Sequence, residues 1–149
     1  MTRSPGQPIL LVEDSAVAVE MVRQSLRDGG LVNRVDVVAN GDEAHRYLSV
    51  AADAASHRYR PVLVLLDVNL PGPSGIEVLE WMRSQRALED MPVVVMSASS
   101  AVDPIEDAYR LGAEAFLVKP VAYDALMDVI TRLRLPWALE GRPERDGDG

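Results

Sequence analysis

The chain contains no cysteine, so neither a disulfide nor a thiolate can enter its chemistry, and a reducing cytoplasm is the expected location. No run approaches the roughly 18 apolar residues of a membrane span. The first eight residues are polar where a signal peptide would carry an apolar core, so no leader and no membrane partner are expected. Basic residues are in the minority, 15 against 23 acidic ones, for a net charge of −8. That balance argues against direct nucleic-acid binding, because the phosphate backbone rewards basic surfaces. A Gly-rich phosphate loop after the first strand-like run is also missing, which disfavours a dinucleotide fold. What remains is 149 residues, 48% hydrophobic and 26% charged, the balance of one soluble globular domain with a substantial core.

The most informative stretch is Val62-Leu63-Val64-Leu65-Leu66-Asp67, an apolar run that stops at a carboxylate and is followed by Val68-Asn69-Leu70-Pro71-Gly72. Such a run predicts a strand buried on both faces, as in a parallel sheet. Asp67 then falls at the carboxyl end of the strand, where open α/β sheets bind ligands. Taken alone it could equally be a solvated turn aspartate. A second run, Ile9-Leu10-Leu11-Val12, ends in Glu13-Asp14-Ser15. Side by side, the two strands would gather three carboxylates that repel one another unless a cation neutralises them. Oxygen ligands in small number suit Mg²⁺, which keeps open positions for phosphate oxygens. Two more strand ends add a hydroxyl, Ser97 after Val93-Val94-Val95-Met96, and an ammonium, Lys119 before Pro120. Phosphoryl transfer is the chemistry that uses the whole set.

The spaced set Glu13-Asp14, Asp67, Ser97 and Lys119-Pro120 resembles the receiver domain of bacterial two-component response regulators, over residues 9–135. The resemblance implies that Asp67 is the phosphoacceptor for a sensor histidine kinase. It implies that Glu13, Asp14, Asp67 and the backbone carbonyl of Asn69 hold Mg²⁺, and that Lys119 and Ser97 contact the phosphoryl oxygens. Ser97 and Phe116 would form the switch, and the Lys119-Pro120 bond would be cis. The protein would catalyse only its own phosphorylation and dephosphorylation and is not expected to turn over other substrates. The 66–72 motif, with a lengthened loop over 53–60, is similar to stand-alone regulators that partner bacterial phytochromes.

Five strand-like runs alternating with five helices predict an α/β fold, a (βα)₅ flavodoxin-like doubly wound parallel sheet of order 2-1-3-4-5. The first helix opens at Asp14-Ser15, with Ala18, Met21, Val22, Ser25 and Leu26 at helical spacing, and Gly29-Gly30 ends it. Residues 32–39 look like an edge strand, and Asn40-Gly41 turns into a helix with Ala44, Leu48 and Ala51 inward and His45 toward solvent. Ser74 or Gly75 opens the third helix, with Val78, Leu79 and Met82 in the core and Trp81 at its margin. Asp103 caps the fourth, with Pro104 at its first position. The last helix, from 123 to about 133, buries Leu126, Val129, Ile130 and Leu133. The expected organisation is a flexible lead over 1–8, the receiver over 9–135 and an extension over 136–149, apolar at first and then flexible. Trp137-Ala138-Leu139 either folds back or joins a homodimer interface with the last helix and fifth strand. Two other functions fit the same carboxylates, a Mg²⁺-dependent phosphate-ester hydrolase and a phosphorylation-independent interaction module. Asn69, where a second acid would serve such a hydrolase, weighs against the first.

Overall fold

The computed structural model describes residues 7–53, 60–98 and 102–133. The expectations for most of the polar lead, for the centre of the 53–60 loop and for the 136–149 extension fall outside them. The chain alternates β1 (Ile9–Val12), α1 (Ala16–Asp28), β2 (Val35–Val38), α2 (Gly41–Ala52), β3 (Leu63–Asp67), α3 (Gly75–Ser84), β4 (Val93–Ser97), α4 (Val102–Arg110), β5 (Ala115–Val118) and α5 (Tyr123–Arg132). All strand pairs are parallel and the order is β2-β1-β3-β4-β5, the flavodoxin-like arrangement.

The apolar runs are unbroken because both faces of the sheet are covered, and successive side chains feed two cores. Ile9, Leu11, Leu63, Leu65, Val94 and Met96 pack with Val22 and Leu26 of α1 and Leu126, Val129 and Ile130 of α5. Leu10, Val12, Val64, Leu66, Val93 and Val95 pack instead with Ala44 and Leu48, Val78, Leu79 and Met82, and Ala108 of α4. Leu133 is partly buried at the edge of the first core, and Met127, which the periodicity passed over, is inside it.

Polar side chains set the helix starts. Ser15 Oγ accepts from Ala18 N at 3.2 Å, and Asn40 Oδ1 accepts from Glu43 N at 2.8 Å. Ser74 and Glu77 form a reciprocal capping box, with Ser74 Oγ accepting at 3.1 Å and Glu77 Oε1 at 2.8 Å. One expected boundary is corrected. α4 begins at Val102, so Asp103 lies inside the helix rather than capping it. Pro104 is tolerated there because first-turn amides have no partner within the helix.

Candidate functional site

The parallel topology brings the carboxyl ends of β1, β3, β4 and β5 to one edge of the sheet. Register places Val12 beside Leu66, Asp67 beside Met96, and Ser97 beside Val118. Glu13 and Asp14 therefore leave β1 next to Asp67 on β3, and Lys119 follows β5 next to Ser97. Glu13 and Asp67 are each 2% exposed and Ser97 1%, while Asp14 faces solvent.

Lys119 joins the two buried acids. Its Nζ donates to Glu13 Oε1 at 2.8 Å and to Asp67 Oδ2 at 3.2 Å. The remaining carboxylate oxygens are met by backbone amides. Ser15 N donates to Glu13 Oε2 at 3.1 Å, and Asn69 N donates to Asp67 Oδ1 at 3.0 Å, fixing the turn after β3. Lys119 N donates to Ser97 O at 2.7 Å, which ties the last two strand ends, and the Lys119-Pro120 bond is cis. Phe116 sits earlier on β5, half-buried against the α2–α3–α4 core.

Burial pushes the Glu13 carboxyl above its ordinary range, with the hydrogen bonds from Lys119 and Ser15 working in the opposite direction and the Asp67 charge adding to the rise. Burial also opposes the charge on Lys119, but its hydrogen bond to Glu13 and the nearby Asp67 outweigh that, and its pKa is raised. Lys119 is therefore a fixed cation at neutral pH.

The donor set suits a hard divalent cation. One carboxylate oxygen from each of Glu13, Asp14 and Asp67 lies within 4.8 Å of the other two. Glu13, Asp14 and Asp67 would hold such an ion through these oxygens, the donor type that Mg²⁺ prefers. Three carboxylates facing one ammonium leave an excess of negative charge that a divalent ion cancels. Asn69 brings its carbonyl to the same turn through its bond to Asp67.

An apolar groove of about 260 Å³ opens beside this edge, between the start of α1 and the segment after β5. Val17, 71% exposed, and Met21, 43% exposed, line it with Val22, Pro120 and Val121. Met21 had the helical spacing of a core residue but faces outward. The sequence alone left three site features unread: the Lys119 bridge, which joins groups far apart in the chain, this groove, and the glycines behind the β3–α3 loop. Asn40-Gly41 gave a turn signal but no indication of what Gly41 packs against.

Comparison with known proteins places this arrangement among relatives. The model of the response regulator receiver domain matches residues 9–131. The solved bacteriophytochrome response regulator RtBRR is 36% identical with a TM-score of 0.75, covering 93% of this chain and 84% of its own. The phosphorylated cyanobacterial phytochrome response regulator RcpA is 32% identical with a TM-score of 0.73, covering 91% and 99%. Response regulator Rcp1 of Synechocystis sp. is 29% identical, covering 90% of each chain. Its Mn²⁺-bound form superposes with a TM-score of 0.70 over 89% of this chain and 94% of that one. Of several other curated relatives the chain spans little more than half the length, 52–58%.

Proposed function

The chain belongs to the response regulator receiver family, and on that premise we propose that Asp67 accepts a phosphoryl group from a sensor histidine kinase, in a reaction that requires Mg²⁺. The observation that carries this reading is the position of Asp67, buried at the end of the central strand, bonded by Lys119, with Glu13 and Asp14 in metal-ligating range.

An Asp67 carboxylate oxygen attacks the phosphorus of the donor's phosphohistidine. The O–P bond forms as the P–N bond breaks, and the departing imidazole takes up a proton. Lys119 stays within reach of both Asp67 and the transferred group and offsets the charge on its oxygens, and the Ser97 hydroxyl donates to one of them. Glu13, Asp14, Asp67 and the Asn69 carbonyl would hold the cation, which when bound neutralises the incoming phosphoryl oxygens. Ser97 and Phe116 then relay the new charge to the surface formed by α4, β5 and α5, where Tyr109, Val118 and Tyr123 are exposed. This surface supports a homodimer as the output. The groove along α1 supports the approach of a helical donor protein, since its lining includes Glu13 and Lys119, and Lys119 bonds Asp67. The likeness to RtBRR and RcpA supports a bacterial phytochrome as that donor, in the cytoplasm. Among the described residues no helix is long and apolar enough to cross a membrane.

The test is incubation with a small phosphoryl donor, with and without Mg²⁺, read by intact mass and sizing chromatography. Wild type gains one phosphoryl group only with Mg²⁺, and Asp67→Asn gains none. Labelling of the variant at the same site would exclude Asp67 as acceptor. A change in elution on phosphorylation places the output in assembly.

A further inference from the structure

The loop from β3 to α3 is gripped from two sides by glycines. At its inner side, Gly75 N donates to Val68 O at 2.9 Å. A Cβ on Gly75 would overlap the Asp67 carbonyl oxygen and lie 2.8 Å from Val68 Cα. At its outer side stands Gly41, the buried first residue of α2, reached from β2 and not part of the acidic cluster. A Cβ there would overlap the Pro73 carbonyl oxygen and lie 2.9 Å from Pro73 Cβ. Neither residue has a positive φ, unlike Gly72 in the same loop at +74°. Their backbone conformation therefore does not call for glycine. The place of the side chain is already taken by another segment's backbone.

The loop has few joints that can absorb a push, Gly72 chief among them. Pro71 and Pro73 each fix φ, the far end is latched by Gly75 to Val68, and Asn69 N is tied to Asp67 Oδ1. We infer that Gly41 is a positioning residue for the cation: its contact with Pro73 sets where the loop presents the Asn69 carbonyl to Glu13, Asp14 and Asp67. The inference rests on the cation reading of the preceding section. It assigns to the β2–α2 junction a part in the affinity of a site it does not touch.

Mn²⁺ titration of the full chain, followed by water-proton relaxation, tests it without measuring phosphorylation. Gly41→Ala raises the Mn²⁺ Kd about tenfold, the scale on which metal sites respond to lost outer support. Gly29→Ala is the control for an added methyl away from the site. Its Cβ would meet the flexible end of the Met127 side chain at the C-terminal end of α1, which can move aside, so it leaves the Kd as in wild type. Should Gly41→Ala not fold, Pro73→Gly retains Gly41, frees the loop and raises the Kd in the same direction. An unchanged Kd in the folded Gly41→Ala or Pro73→Gly protein overturns the inference, as does an equal rise in Gly29→Ala. A wild type that binds no Mn²⁺ overturns the cation reading itself, which sets that failure apart.

Discussion

Lys119 neutralises two carboxylates that are otherwise cut off from water, and removing it strands both. Lys119→Met is expected to destabilise the cation-free protein by about 3 kcal/mol in urea unfolding, the cost of breaking a buried ion pair. Saturating Mg²⁺ should recover more stability in this variant than in wild type. A second polar cluster, away from the site, gives a pH dependence. Tyr47 Oη donates to Asp36 Oδ2 at 2.6 Å, and Arg34 Nε donates to Asp36 Oδ1 at 2.9 Å. Burial works against the Asp36 charge, but these bonds outweigh it, and the carboxyl titrates below its ordinary 3.8. That contribution is complete above 3.8 and is lost as pH falls through the lower folded value. Burial first, and then the bond to Asp36, push the Tyr47 hydroxyl well above its ordinary 10.0. Its contribution is complete below 10.0 and fades as pH rises beyond it, because the unfolded chain ionises first. Tyr47→Phe should therefore lower stability by about 1 kcal/mol near neutrality. The gap from wild type, read as urea midpoints across a pH series, narrows at both the acid and the alkaline end.

Arg83 fastens the elements at the opposite edge of the sheet. Its guanidinium donates to the carbonyls of Leu111 at 2.7 Å, Glu89 at 2.9 Å, Met91 at 3.0 Å and Gly112 at 3.2 Å, so one side chain from α3 holds the turns before β4 and β5. Arg83→Met should lose about 2–3 kcal/mol, with faster hydrogen exchange over 88–91 and 111–113. Arg83→Lys should recover little, because an ammonium cannot fork toward two turns. Nothing in the sequence marked this residue, since an arginine near a helix end has the look of a solvated charge. Leu88 escaped for a related reason: it is fully buried but sits in a turn with no periodicity to announce it. The strands were plain because burial on both faces leaves only apolar residues, and Ser15, Asn40 and Ser74 marked the helix starts by their chemistry. The site's members were legible as strand ends. Their mutual contacts were not, because Glu13, Asp67 and Lys119 meet only through the strand order.

At the scale of the whole molecule the site is a store of stability that a cation can draw out. A ligand that binds only the folded chain adds about 2.7 kcal/mol at a hundredfold excess over its Kd. For a domain of this size that is a rise of about 5–10 °C in Tm. Differential scanning calorimetry should show this rise with Mg²⁺, saturating with concentration, and Asp14→Asn should blunt it while leaving the cation-free Tm nearly unchanged, because Asp14 is exposed. The bond from Lys119 to Glu13 spans 106 residues, and that to Asp67 spans 52. Seen from the ribosome, the carboxylates emerge first and their counter-charge last. A nascent chain halted before β5 carries acids at the ends of β1 and β3 without the lysine that bridges them, so a truncated product lacks the joint that closes the site.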